Sequence, residues 1–469
     1  MKICIISEGC YPYVVGGVSS WIQQLITVFP QYEFEIFSIG ADSSEKGNYA
    51  YKMPVNVTGI TEIFLNDVFD EVSTGAKVSA EKWEIEEMQK LMYGNVQKWE
   101  YIFNFFALKN CAVSDFLMSE HFFEIAKGVY NNGYEKTLYL DFLWTLRSMY
   151  LTLFYVLNQK MPKADLYHSV STGYAGVAGS MAKYFYGKPF IITEHGIYTR
   201  EREEEIIKAD WVQGYFKNLW INFFMSMSKC AYLYADRIFA LFDTNRQIQI
   251  EIGAPAAKTK VIANGINIKA FEGLIQKDPD EKYLNVGALI RVTPIKDIKT
   301  MLYTFDVVKR NVPNARFYIM GPTNEAPEYY DECVALLNEL GTKDVIFTGR
   351  INTKEYIGKM DVMVLTSISE GQPLSLMEAM ASGKACVATN VGCCSELLNG
   401  KENDGYGPCG LIAPVMNYEK IAEAIIKILS DEKLRKEMEQ NARGRISQYY
   451  TEEIFKENYK IQYNYYDNK

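Results

Sequence analysis

Short apolar runs alternate along this chain with stretches whose apolar residues recur every three to four positions. Ile3 to Ile6, Phe34 to Ile39, Ala164 to Ser171, Pro189 to Thr193 and Arg237 to Leu241 read as parallel strands buried on both faces. Helical patterns lie between them, as in Val18 to Ile26 and Ala175 to Tyr184. From about residue 63 to 161 this rhythm breaks. Aromatic-rich helical patterns over Trp83 to Met92, Trp99 to Leu108, Asp115 to Val129 and Leu138 to Leu157 predict a helical insertion or lid, with His121 a structural residue inside it. The polar stretch Gln276 to Lys282 reads as a linker. A second series follows with strands at Tyr283 to Leu289, Ala315 to Met320, Val345 to Ile351, Val362 to Leu365 and Gly383 to Thr389. Ile421 to Tyr465 is helical throughout, and its end is expected to cross back to the first domain. The pattern predicts an α/β protein with a first domain over 1–274, a second over 275–445 and a crossing helix over 446–469.

Composition narrows the picture. A length of 469 residues gives room for two or more large cores. Formal net charge is -9, which argues against a nucleic-acid binder held by phosphate contacts. Nine scattered cysteines without a C-x-x-C pair, and histidines only at 121, 168 and 195, leave no disulfide framework and no zinc site, so a reducing cytoplasm fits. No secretory leader is expected after Lys2. Ile221 to Phe242 is apolar but carries Lys229, Asp236 and Arg237, and reads as a buried helix followed by a strand rather than a membrane span. Aromatic residues make up 14%, which large cores or a sugar-stacking surface would each use.

The chemistry gathers where strands end. After Val362-Met363-Val364-Leu365 comes a turn with Glu370, Gly371 and Pro373, then a helix carrying Glu378. Strand, glycine turn and helix together aim a helix N-terminus at an anion. Pro373 has no N–H, so the donors to such an anion are Leu374 and Ser375. Arg291 and Lys296 follow an earlier strand and suit a diphosphate, the Arg as a fork and the Lys as a point charge. Gly16-Gly17 precedes a helix and lets a ligand approach the backbone. It is not the G-x-G-x-x-G of dinucleotide-binding folds. His195 ends a strand in Glu194-His195-Gly196, the edge where open α/β sheets bind ligands. Asp278-Pro279-Asp280 is formally a metal-binding pair, but it lies in the polar linker and is rejected as one.

Glu370 and Glu378 with seven residues between them resemble the Glu-x7-Glu motif of retaining, family 4 type glycosyltransferases of the GT-B fold. Arg291-x4-Lys296, Val261-Ile262-Ala263-Asn264-Gly265-Ile266-Asn267 and Gly392-Cys393-Cys394-Ser395-Glu396 resemble further segments of that family, in order along nearly the whole chain. Asp297, where members often have glycine, is a departure expected to tilt its loop. The resemblance implies two Rossmann-like domains facing a cleft and a nucleoside diphosphate leaving group. Glu370 and His195 would meet the donor sugar, and Glu378 the ribose. Arg291, Lys296, Gly371, Leu374 and Ser375 would meet the diphosphate, and Arg350 and Ile351 the base. Gly16 and Gly17 would close over the donor phosphate and the acceptor side. No metal or other cofactor is implied, and front-face attack needs no dedicated base. Glu8 to Trp21, His168 to Tyr174 and Glu194 to Arg202 look like the PelF-type group of Pel exopolysaccharide synthesis. That narrower resemblance implies a UDP-sugar donor, UDP-glucose first, and a glycan acceptor. It also implies a cytoplasmic protein placed at the inner membrane face by a membrane-bound polysaccharide synthase complex. Two alternatives stay open: a catalytically silent subunit that binds nucleotide sugar, and a phosphorylase-like enzyme with a pyridoxal phosphate lysine.

Overall fold

The computed structural model describes residues 1–468 apart from 72, 74, 76, 77, 97, 110, 111, 279, 402 and 403. Pro279 of the linker pair thus lies outside the described residues, while Asp278 accepts the N–H of Asp280 in a turn at 2.9 Å. The chain divides into two units, Met1–Ile262 with Ile461–Lys469, and Ala263–Lys460.

In the first unit the strands are β1 (Lys2–Glu8), β2 (Glu33–Gly40), β3 (Val57–Phe64), β4 (Leu166–Ser169), β5 (Phe190–Glu194), β6 (Arg237–Ala240) and β7 (Thr259–Val261). They pair in the order β3-β2-β1-β4-β5-β6-β7, all parallel. The apolar runs predict the inner strands, which are buried along their length. β3 escapes that reading because it is an edge strand: only Ile63 and Phe64 are buried, so its sequence, Val-Thr-Gly-Ile-Thr-Glu-Ile-Phe, shows no clean pattern.

The connection from β3 to β4 holds the predicted helices, at Lys82–Met92, Trp99–Lys109, Val113–Leu117, Glu120–Tyr130 and Tyr139–Leu157. The expected helix from Asp115 to Val129 is two helices. Ser119 ends the first by capping the second, its Oγ accepting the N–H of Phe122 at 3.2 Å. The aromatic residues here are mostly core. Phe106 stacks on Phe154 with ring centroids 4.3 Å apart, and Phe116 packs on both. The same continuous cluster includes Ile6, Phe37 and Ile39 of the sheet, so the insertion is packed onto the unit rather than hung from it.

In the second unit the strands are β8 (Leu284–Leu289), β9 (Ala315–Met320), β10 (Val345–Gly349), β11 (Val362–Leu365), β12 (Ala385–Thr389) and β13 (Gly410–Ala413). Their order is β10-β9-β8-β11-β12-β13, again all parallel. The helical tail breaks into Tyr418–Ser430, Glu432–Tyr449 and Glu452–Asp467. Asn417 and Asp431 supply the caps that start the first two. The last residues are built into the first unit. The Tyr463 hydroxyl meets His168 Nδ1 at 2.9 Å, its ring packs on Phe29 and Tyr32, and Asn464 Oδ1 accepts the Tyr32 hydroxyl at 2.8 Å. No described helix is long and apolar enough to cross a membrane.

Candidate functional site

Strand order in the second unit reverses between β8 and β11. At such a point the loops leaving the two strands part and open a crevice at the carboxyl edge. One loop carries Lys296 and the other Glu370, and the two side chains meet, Nζ to Oε1, at 2.5 Å. Ser367 Oγ donates to the same carboxylate oxygen at 2.6 Å. Both charged groups are largely enclosed, so the pair is held more strongly than a surface ion pair. The loops are also tied through backbone: the Thr366 hydroxyl lies 3.0 and 3.1 Å from the carbonyls of Lys296 and Asp297, and the Ile368 N–H donates to the Ile295 carbonyl at 2.9 Å.

Asp297 does not tilt this loop away from a glycine geometry. It takes the left-handed conformation itself, with φ 50° and ψ 58°, and its carboxylate caps the helix Ile298–Asn311 through the Thr300 N–H at 3.2 Å. On the other side Gly392, also at positive φ, passes so close that a Cβ would fall 2.3 Å from the carbonyl oxygens of Glu370 and Gly371. The Cys393 N–H then holds the Gly371 carbonyl at 3.1 Å. Any side chain at 392 would displace the turn that presents Glu370.

Pro373 caps the helix Leu374–Ala381. The N–H groups of Leu376 and Met377 both turn back to the Pro373 carbonyl, at 3.1 and 3.2 Å. Those of Leu374 and Ser375 precede any acceptor within the helix, so they are the donors this helix offers outward. Glu378 lies one turn further in, where burial alone pushes its carboxyl up to about 7. Arg291 is not joined to Lys296 and Glu370: its guanidinium pairs with Glu325 at 2.7 Å on the half-exposed surface. The reason is local. Gly321 brings the loop after β9 so near that a Cβ there would sit 2.0 Å from the Ile290 carbonyl, and the Val292 N–H bonds the Pro322 carbonyl at 3.0 Å. Arg350 and Ile351 follow β10, two strands from the reversal, where the Gly349 carbonyl accepts the Gly321 N–H at 3.1 Å. Arg350 is exposed.

The first unit has its own reversal, between β1 and β4. Glu8 ends β1 there. Its carboxylate accepts from the Ala175 N–H at 3.1 Å, from Ser171 Oγ at 3.3 Å and from the Tyr198 hydroxyl at 3.3 Å. Burial raises its pKa, opposed by these donors and by the Arg202 charge. Motif reasoning had not set Glu8 apart as a site residue. The available signal is an acid two residues after the apolar run Ile3 to Ile6, at the end of the strand. Nearby Glu194 is bound by Tyr232, Gln249, Thr172 and the Tyr198 N–H. His195 follows it. Its ring meets the Trp21 edge with centroids 4.7 Å apart, burial pushes its pKa far below the usual imidazole value, and its Nε2 is shielded without a hydrogen-bond partner among the described residues. A neutral imidazole nitrogen without a partner keeps the capacity for one hydrogen bond. Gly16 and Gly17 use no positive φ. Gly16 is extended at φ -171°, and Cβ atoms at both positions would meet open space.

Comparison with known proteins agrees with this architecture. Residues 1–257 match the family described as Domain of unknown function (DUF3492), and residues 269–445 match Glycosyl transferases group 1. Among curated proteins, the N,N'-diacetylbacillosaminyl-diphospho-undecaprenol alpha-1,3-N-acetylgalactosaminyltransferase of Campylobacter jejuni is 28% identical over 249 residues, covering 50% of this chain and 62% of that protein. The UDP-Gal:alpha-D-GlcNAc-diphosphoundecaprenol alpha-1,3-galactosyltransferase of Escherichia coli is 25% identical over 302 residues, covering 61% and 72%. In fold, the chain is similar to Anabaena HepE in complex with UDP (TM-score 0.62, 16% identity, 99% of this chain and 100% of that one). It is equally similar to sucrose-phosphate synthase from Thermosynechococcus elongatus (TM-score 0.62, 16% identity, 99% and 98%). The chain thus belongs to the DUF3492 family, has the two parallel-sheet units of the GT-B fold, and matches the group 1 glycosyl transferases over residues 269–445.

Proposed function

We propose that this chain is a retaining glycosyltransferase that moves a hexose from a UDP-sugar, UDP-glucose first, to a glycan acceptor. The observation that carries this reading is the enclosed Lys296–Glu370 pair at the strand reversal of the second sheet, beside a helix start with outward N–H donors. Lys296 and the N–H groups of Leu374 and Ser375 would receive the charge growing on the departing diphosphate. That arrangement supplies the work a divalent metal does elsewhere. Glu370, fixed by Lys296 and Ser367, would position the sugar. Glu378 would accept the ribose hydroxyls, and the loops at Arg350 and Ile351 would meet the base. Arg291 would have to leave Glu325 to reach a phosphate. The role of His195 at the sugar rests on the resemblance of its segment. Both curated relatives act, by name, on diphospho-undecaprenol-linked sugars, which favours an acceptor assembled at a membrane. The PelF-type motifs favour exopolysaccharide synthesis at the cytoplasmic face, with a membrane-bound synthase as partner.

The test is calorimetric titration of UDP, GDP and ADP into the whole chain in EDTA, with Glu378→Ala in parallel. Selective binding of UDP, weakened by the substitution, is the expected result. A folded protein that binds no nucleotide would refute the reading. Turnover of UDP-glucose in EDTA should fall about 100- to 1,000-fold in Lys296→Ala, the usual loss for one preorganised donor to transition-state charge.

A further inference from the structure

The helix Tyr139–Leu157 buries Phe142, Leu146, Met149, Tyr150 and Leu153 in the core of the first unit. Its other face carries Asp141, Trp144, Thr145 and Ser148, spaced as one stripe along the helix. A solvated stripe usually holds short polar and charged residues. Here it holds a tryptophan that is 56% exposed. Across from it runs the segment with Trp211, Gln213 and Trp220, and the two together line an open groove of about 400 Å³. Trp211 is 69% exposed, yet its ring is braced edge-on against Trp220 with centroids 5.4 Å apart. The Arg147 guanidinium covers Trp144 at 5.0 Å and is itself tied to the Leu117 carbonyl at 3.0 Å. The chain has six tryptophans, and three line this groove.

We infer that this groove binds a neutral oligosaccharide, as a holding site for the growing glycan on the first unit. The inference rests on the transferase reading for the identity of the occupant. The lining supports it on chemical grounds. A pyranose ring shows an apolar C–H face and a rim of hydroxyls. Aromatic faces interleaved with a carboxylate, two hydroxyls and an amide match both parts. The groove's size is that of a small-molecule site. A lipid surface is less well matched: the lining holds polar groups within a concavity, Asp141 is among them, and the chain is net negative at -9.

The experiment titrates maltohexaose, cellohexaose and chitohexaose into the whole chain, read by tryptophan fluorescence and calorimetry. Trp211→Ala and Trp144→Ala are compared with Trp83→Ala, whose indole is exposed outside the groove. At least one hexasaccharide should bind, and each groove substitution should weaken it about tenfold or more, as truncation of an aromatic anchor does, while Trp83→Ala leaves it unchanged. UDP binding, measured on the same samples, should stay at the parent value in all three, and an unchanged thermal unfolding profile shows that the first unit is folded. A protein that binds UDP but none of the three oligosaccharides would overturn the inference, as would binding that survives Trp211→Ala. Binding to phosphatidylcholine–phosphatidylglycerol vesicles that is lost in Trp211→Ala, without oligosaccharide binding, would replace it with a membrane-docking role. Failure to bind UDP with oligosaccharide binding intact would count against the donor-site reading alone.

Discussion

Glu378 couples stability to pH in a direction opposite to that of an ordinary paired carboxylate. Its folded pKa, about 7, lies above that of an unfolded glutamate, so between pH 4.5 and 7 the folded chain holds a proton that the unfolded chain has released. The stabilisation is full below pH 4.5 and is lost as pH rises to 7. Glu378→Gln has no such loss. Its advantage over the parent in urea unfolding should therefore grow by about 2–3 kcal/mol from pH 4.5 to pH 8. An equal difference at both pH values would show that Glu378 titrates normally. Asp297 makes a second residue-scale case. Left-handed backbone costs a non-glycine residue about 1–2 kcal/mol, and a helix cap returns about 1 kcal/mol. Asp297→Gly exchanges one for the other and should shift the urea midpoint little. Asp297→Ala loses the cap and keeps the strain, and should cost about 1 kcal/mol or more.

At the scale of elements, each sheet places an acid where its strand order reverses, Glu8 in one and Glu370 in the other. Their surroundings differ. Glu370 has a cation within 2.5 Å, while Glu8 relies on an N–H and two hydroxyls, with Arg202 contributing charge from further off. Because burial drives Glu8 toward its protonated form, an amide of the same shape replaces it closely. Glu8→Gln should remain near the parent in thermal unfolding. Glu8→Ala strands three donors in a buried place and should lose about 2–3 kcal/mol. If both variants lose equally, the ionised form of Glu8 is what the fold requires. The turn at Glu370 was legible because an apolar strand, a glycine and a proline lie in one line of sequence. Glu8 was not, because its partners Ser171, Ala175 and Tyr198 arrive from more than 160 residues away. The pairing of Arg291 with Glu325 was hidden for the same reason: R-x4-K fixes a spacing, while the direction of the guanidinium depends on where Gly321 brings the next loop. Edge strands such as β3 and the short β13 left little trace, since neither is buried on both faces.

For the whole molecule, the apolar runs were enough to place the inner strands and hence two parallel sheets, and the motifs were enough to place the crevice of the second. The helical insertion was visible as a break in rhythm, but periodicity says nothing about how its outer face is used. Many of the aromatic residues lie in the core, and the exposed ones are spread over the chain, with Trp144 and Trp211 meeting at the groove.

The first unit is made of two pieces of chain, with all of Ala263–Lys460 lying between them in sequence. On a ribosome that order matters. At about 5–20 residues per second, roughly 10–40 seconds separate the emergence of β7 from that of the segment carrying Tyr463. Through that interval the nascent first unit lacks the tyrosine that bonds His168 and covers Phe29. Its core closes only when the segment carrying Tyr463 emerges, so a nascent chain that has not yet reached that segment carries an open seam over His168 and Phe29.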